Sequence, residues 1–327
     1  MILVLPGNLG LWDVYPVVQL DALPGVWIVV LGICTLVTAT RLRRAASSSG
    51  PRRTAQRTVF VLLLSILLIE VTVFVRAGGV LPADLATVPS GRADLTVLSF
   101  NARGTDASSI VGAAVEAEAD AVMLVETNGA VAAEIVDRLR RHGQRSQLFT
   151  ASGTALDSED EVAIIVDDRL GAYYEVPGPA LAYGSLTIVP GDRAGSAAQA
   201  TATGGPALSA VHPPAPVPGD VPSTTWGQQL QEAVDACSRE SAIVGGDFNA
   251  TSAQISHVIG DGCLDAGSHL GRGAVGTWPT AVPAPLGASI DHQLADENHW
   301  EPVGIRVLDI GRSDHRGIAV SYRAVRP

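Results

Sequence analysis

Six short polar patches stand along this chain, most of them placing Asn, Asp, Glu or His directly after an apolar β-type run. They are Ser99-Phe100-Asn101, Leu124-Val125-Glu126-Thr127, Val211-His212-Pro213, Gly245-Gly246-Asp247-Phe248-Asn249, Ile290-Asp291-His292 and Ser313-Asp314-His315. Strand ends gather such groups at one edge of a sheet. Clusters rich in carboxylate and amide oxygen hold Mg²⁺ and hydrolyse phosphate esters. Asp247 and Asn249 stand two apart on an extended segment, so both side chains point to the same face. The Gly245-Gly246 pair before them suits close approach of the backbone to a ligand.

Strands must carry these groups, and the pattern supplies them. Leu95 to Phe100 reads as a buried strand. Asp106 caps a helix running to Glu118, with Ile110, Ala114 and Val115 on its apolar face. Ala121 to Val125 is a second strand, and Ala130 to Arg141 is an amphipathic helix. Strand patterns recur at Val162 to Val166, Leu186 to Val189, Ala207 to Val211, Ala242 to Val244, Ile305 to Ile310 and Gly317 to Tyr322. Trp226 to Cys237 and Ser252 to Ile259 are helical. Residues 190–206, rich in Gly, Ala and Thr, and the proline-rich residues 213–222 read as loops. Many strands with intermittent helices imply a sheet core of two layers with helices outside, an α+β or α/β sandwich.

The charge is unevenly spread. Of the 33 acidic residues, only Asp13, Asp21 and Glu70 precede residue 81, and 15 of the 22 basic residues, all arginine, follow it. The part beyond residue 80 therefore carries about −15. That sign repels polyanions and speaks against tight duplex nucleic acid binding, which needs a basic footprint. It does not exclude nuclease chemistry, because a metal reverses the local sign.

The apolar excess lies in residues 1–76, read as a membrane region with two transmembrane helices at about 23–40 and 58–76. Between them Arg41, Arg43, Arg44, Arg52, Arg53 and Arg57 place the loop in the cytoplasm by the positive-inside rule. Both flanks then face outward: a multi-pass cell-membrane protein with its catalytic domain extracytoplasmic. The other reading is a cleaved signal peptide followed by a buried helix. It lacks a small-residue cleavage site and leaves the second run unexplained. Residues 1–22, interrupted by Pro6, Asp13 and Pro16, read as interfacial. Glu70 is either an intramembrane functional carboxylate or one that pairs within the hairpin. Residues 77–93 read as a linker, and residues 94–327 as the outer domain. Cys237 and Cys263 flank the Gly-Gly-Asp-Phe-Asn strand, and a bridge between them stays open at this stage.

Taken together, order and spacing of the six patches resemble the endonuclease/exonuclease/phosphatase superfamily, which includes deoxyribonuclease I-like nucleases, sphingomyelinases and inositol polyphosphate phosphatases. The resemblance covers roughly residues 94–324 and implies a four-layer α/β/β/α sandwich, here preceded by a two-helix transmembrane hairpin. It implies Glu126 as principal ligand of Mg²⁺ or Mn²⁺, with Asn101 and Asp314 beside it. Asn101, His212 and Asn249 would contact the substrate phosphate. His212, Asp247, Asn249, Asp291, Asp314 and His315 would be catalytic: Asp247 acts on the attacking water, Asp291 orients a histidine, and His315 serves as base or phosphate-stabilising imidazole. His292 ranks second, and Thr277-Trp278-Pro279 matches a wall segment. Two positions depart from the pattern. Asp167-Asp168-Arg169 stands where many members carry Ser-Arg, which puts the substrate contacts in doubt, and Val125 stands where Gln is usual.

Three functions compete. The first is a membrane-anchored phosphohydrolase acting on a lipid-linked or small phosphorylated substrate. Its architecture is similar to that of bacterial membrane proteins linked to teicoplanin resistance. The second is a tethered extracellular nuclease or phosphodiesterase, against which the acidic domain weighs. The third is an inactive binding module, against which the complete residue set weighs.

Overall fold

The computed structural model describes residues 10–44, 50–80, 93–153, 161–191 and 205–325. Residues 1–9, most of the expected linker (81–92) and most of the Gly/Ala/Thr-rich loop (192–204) lie outside these.

Twelve strands form two six-stranded sheets among the described residues. The first has the order β11 (Trp300–Asp309), β12 (Arg316–Ala324), β1 (Leu95–Asn101), β2 (Ala121–Thr127), β4 (Glu161–Asp167), β3 (Ser146–Ser152). The second runs β5 (Tyr173–Val176), β6 (Ser185–Pro190), β7 (Ala207–Val211), β8 (Ala242–Asp247), β10 (Asp291–Asp296), β9 (Cys263–Asp265). Each sheet holds one parallel pair, β1 with β2 and β7 with β8. A parallel pair needs a crossover, which helices α4 (Ala107–Glu116) and α6 (Ser223–Asp235) supply. The consequence for function is direct: parallel strands end at the same edge. Asn101 and Glu126 close one pair; His212 and Asp247 close the other.

Burial explains the runs. Val97, Met123, Ile164, Leu208 and Ile243 fill the core between the sheets, whereas Ile110, Ile135 and Leu139 of α4 and α5 (Gly129–Arg141) cover the outer face of the first sheet. Trp226, Leu230 and Phe248 pack on the outer face of the second. Strands covered on both faces read as continuous apolar stretches. The result is the expected α+β sandwich of four layers, with helix, sheet, sheet and helix in turn. The sheets touch most closely at Gly245, where a Cβ would collide with Met123 and Ser99; at Gly246 it would collide with the Val211 carbonyl. The double glycine thus serves packing, not approach to a ligand. Gln293 is buried between the sheets and donates to the carbonyls of Val97 (3.0 Å) and Ile318 (2.9 Å), while accepting from the Tyr322 hydroxyl (3.0 Å).

Strands β3, β5, β9 and β10 escape the apolar-run pattern, and the helix expected from Ser252 to Ile259 is only the single turn α7 (Ser252–Ile255). Cys237 and Cys263 form a disulfide, with Cα atoms 6.0 Å apart and a sequence separation of 26. Closing a loop of that length stabilises by about 3 kcal/mol in the chain-entropy picture. Replacing both cysteines by serine is therefore expected to lower the melting temperature of the pure protein by several degrees. Reductant should reproduce that loss in the wild type and do nothing to the double variant.

Two N-terminal helices, α2 (Pro24–Arg44) and α3 (Pro51–Arg76), are long and apolar enough to cross a membrane by length and composition. They pack against each other and leave Val29, Ile33, Leu36, Leu62 and Leu68 more than half exposed. Glu70 is 2% exposed and near Asp21, whose carboxyl is raised to about 7 by burial and by that second carboxylate. Residues 10–22, expected to be interfacial, have a partner of their own in the fold. They pack on the sandwich itself, with Val18 of the short helix α1 (Val17–Ala22) fully buried beside Trp226 and Phe248.

Candidate active site

The site lies where β1, β2, β7 and β8 end. Glu126 closes β2 with a φ of +49° at a register shift against β4, and Asn249 follows β8 with a φ of +48°. Left-handed backbone at non-glycine residues costs stability and clusters where geometry is imposed for function. Here it turns both side chains into a cavity of about 1000 Å³. β10 pairs with β8 so that Asp291 lies directly opposite Asp247. The loop before β12 brings in His315, pinned because Ser313 Oγ donates to the Asn101 carbonyl (2.8 Å) and accepts from the His315 amide (3.0 Å).

Two overlapping groups of possible metal ligands result. Glu126, His212 and Asp247 place ligand atoms within 4.8 Å of one another, as do Asp247, Asp291 and His315. Asn101 Nδ2 bridges Glu126 Oε1 (2.8 Å) and Asp247 Oδ2 (3.1 Å). His212 Nε2 lies 3.7 Å from both carboxylates, while its buried Nδ1 has no hydrogen-bond partner. These residues fit a divalent cation. Two carboxylates face each other at low solvent exposure, and burial followed by Asp291 raises Asp247 despite two nearby imidazoles. That is the electrostatic state of a centre short of positive charge. Carboxylate oxygen with one imidazole suits Mg²⁺ or Mn²⁺.

The two histidines are driven apart. Burial lowers His212 and keeps it neutral. Burial pulls His315 the same way, but Asp291 and Asp247 overcome it and push His315 up to about 10. Its Nδ1 donates to Asp291 Oδ2 (3.0 Å), and its Nε2 lies 3.6 Å from Asp247 Oδ2. One imidazole neutral and the other charged is the separation that acid–base work requires.

Every expected residue borders this edge, but not all do so as expected. Asn101 offers its Nδ2 to the carboxylates, and its Oδ1 accepts from the Arg103 amide (3.2 Å). Asp314 lines the cavity yet belongs to neither ligand group. Its Oδ2 accepts from the Trp278 indole (3.0 Å), in the bend that precedes β12. Asn249 gives Nδ2 to the Pro213 carbonyl (3.0 Å). His292 turns to the outer face, donates from Nε2 to the carbonyls of Ala250 (2.9 Å) and Ser289 (3.0 Å), and pairs with Asp265. Asp167 and Arg169 pair with each other at the far end of β4, with Arg169 also reaching Asp120, so that departure does not touch the site. Arg103 and Tyr183 had escaped notice: Arg103 Nε is 3.6 Å from Glu126 Oε2, and the Tyr183 ring centroid is 5.1 Å from that of His212. A basic residue two places after Asn101 was the readable signal for the first; nothing local marks the second.

No curated protein matches the chain in sequence. Among solved structures, humanized D. rerio TDP2 superposes with a TM-score of 0.51 at 18% identity, covering 70% of this chain and 98% of that one. D. rerio TDP2 complexed with single strand DNA product gives 0.50 at 19% identity over the same shares. At such identities the likeness concerns the fold. The sequence model of the Endonuclease/Exonuclease/phosphatase family matches residues 98–315, and with it the whole ligand cluster. The chain therefore belongs to the endonuclease/exonuclease/phosphatase family and is a metal-dependent hydrolase of phosphoester bonds.

Proposed function

We propose that this enzyme is anchored in the cell membrane by α2 and α3 and works on the extracytoplasmic side, cleaving a phosphate ester or pyrophosphate on a lipid-linked or small phosphorylated substrate. The observation that carries the reading is that the cavity holding Asp247 and His315 is also lined by Leu23, one residue before the first apolar helix. An exposed apolar hairpin needs lipid around it. Its arginine-rich turn favours the cytoplasmic side. Residues 10–22 and the sandwich, which flank the hairpin, pack on each other, as a hairpin with both flanks on one side requires. A disulfide in the sandwich suits an oxidising compartment. This reading places the chain in the membrane-anchored bacterial branch linked to teicoplanin resistance.

Glu126, Asp247 and His212 would hold Mg²⁺ or Mn²⁺, and a cation there supplies Lewis-acid stabilisation of phosphoryl charge. Asn101 keeps the two carboxylates in place. Asp247 accepts a hydrogen bond from the attacking water. Protonated His315, its ring oriented by Asp291 at Nδ1, donates from Nε2 to a phosphoryl or leaving oxygen. Asn249 has a second amide hydrogen for a phosphoryl oxygen, and Arg103 adds positive charge at the rim.

Full-length protein with Mg²⁺ is expected to hydrolyse polyprenyl pyrophosphate and to leave plasmid DNA intact. Cleavage of DNA alone would move the assignment to a tethered nuclease, the reading that the single-strand DNA in the TDP2 structure favours and the acidic domain opposes. An alkaline phosphatase fused at the C-terminus should be active; an inactive fusion would reverse the topology.

A further inference from the structure

Asp13 and Pro16 interrupt the apolar character of residues 10–22, which precede α2. In the structure they are tied to the sandwich at sites far away in sequence. Tyr15 donates its hydroxyl hydrogen to the Val221 carbonyl (2.6 Å), and Gln19 Nε2 donates to the Pro216 carbonyl (2.7 Å). Gln254 Nε2 donates to the Val18 carbonyl (3.0 Å). Trp12 packs on Trp226 at 5.7 Å between ring centroids and stacks on His257 at 5.9 Å. Val18 is fully buried. Three backbone-directed bonds, two ring contacts and a buried valine make this a docked element.

Its position matters more than its strength. The partners it grips lie just beyond β7 and β8: Pro216 and Val221 ahead of α6, Trp226 in α6, Gln254 in α7 and His257 just after it, downstream of His212 at the end of β7 and of Asp247 and Asn249 at the end of β8. Gln19, Ala22 and Leu23 line the cavity together with those residues. At Pro24 the chain enters α2. A Cβ at Gly25 would collide with the Pro285 carbonyl, so the head of α2 sits against the loop between Trp278 and Ile290 that forms another wall. At the other helix head, the Ala274 amide donates to the Ala77 carbonyl (2.9 Å), just past the end of α3. The start of the apolar hairpin thus adjoins the cavity, and Ala22, Leu23, Val217 and Ile290 are among its lining residues.

We propose that the segment from Trp12 to Leu23 is the substrate-selecting wall of the active site: it admits a phosphate or pyrophosphate head borne on an apolar chain. The head reaches Asp247 and His315, the first part of the chain lies on Ala22, Leu23 and Ile290, and the rest stays in the bilayer. The proposal rests on the phosphohydrolase reading above and adds the residues that choose the substrate. The same wall covers one side of the strand-end cleft, where an extended nucleic acid would have to pass.

The test holds the head constant and varies the tail. Full-length protein in phosphatidylglycerol vesicles with Mg²⁺ is given a polyprenyl pyrophosphate or water-soluble isopentenyl pyrophosphate. Wild type should favour the long homologue in kcat/KM. Leu23→Asp removes apolar contact and adds a charge next to the chain, so KM for the long homologue should rise about tenfold more than KM for the short one. Ala22→Glu should act in the same direction, and Leu23→Ile should restore the wild-type ratio. Equal losses on both homologues in Leu23→Asp and Ala22→Glu, or an unchanged ratio, would overturn the selecting role while leaving the phosphohydrolase intact. Hydrolysis of neither homologue by a wild type that cuts DNA would overturn both.

Discussion

Replacing Glu126 by Gln is expected to lower kcat about 10³-fold with the fold intact. Glutamine keeps the length of the side chain and an oxygen for Asn101 Nδ2, so the bridge from Asn101 to Glu126 and Asp247 has a substitute acceptor. What it removes is one of two opposed carboxylate charges. Mg²⁺ binding, followed by titration calorimetry, should weaken at least tenfold, since the hard cation loses its charged oxygen. Without metal, the same change relieves like-charge repulsion from Asp247, and the variant should melt at or above the wild-type temperature. The signature is opposite movement of two quantities: metal-free stability holds or rises, while the stabilisation gained by adding Mg²⁺ shrinks. A variant that keeps full activity and full metal affinity would remove Glu126 from the metal site.

Replacing Asp291 by Asn should cost about 10²-fold in kcat with little effect on KM, and should change the pH profile. His315 is raised to about 10 against the pull of burial because Asp291 and Asp247 flank it. The form that donates to a phosphoryl oxygen is the protonated one, present below that pKa. With Asp291 neutral, burial gains ground and the pKa of His315 falls. The alkaline limb of the profile should therefore move to lower pH in the variant. Stability follows the same sign. A pKa raised above the ordinary 6.5 contributes stability in full below 6.5, and the contribution is lost as pH rises towards 10. Asp291→Asn should flatten that part of the stability curve. A drop in rate with an unshifted limb would mean that Asp291 serves only packing.

Much of this site was legible because strands covered on both faces must be apolar, so a polar residue at the end of such a run stands out. Glu126, His212 and Asp247 were found that way. The same criterion failed at β10, Asp291–Asp296, whose polar side chains are buried and satisfied by partners such as Asp265, Val97 and Tyr322. It failed at β3, an edge strand with no buried residue. Asp291, expected to orient a histidine, bonds the His315 imidazole from 24 residues away, while Asp314, beside His315 in sequence, accepts from Trp278.

By itself, the sequence determined the local elements, the order of the polar strand ends, the acidic sign of the outer domain and the two apolar helices. These are properties of neighbouring residues: periodicity, run length and summed charge. The tertiary structure alone decided what depends on distance. Asn101 meets Asp247 across 146 positions only because two sheets stack face to face and bring their strand ends to one side. The charge states of His212 and His315 follow from which carboxylates lie within a few ångströms. The wall from Trp12 to Leu23 exists because a segment with no strong pattern of its own finds Trp226 and the Pro216 carbonyl to bind. Coulomb energy, hydrogen bonding and close packing act through space, and chain separation does not encode them.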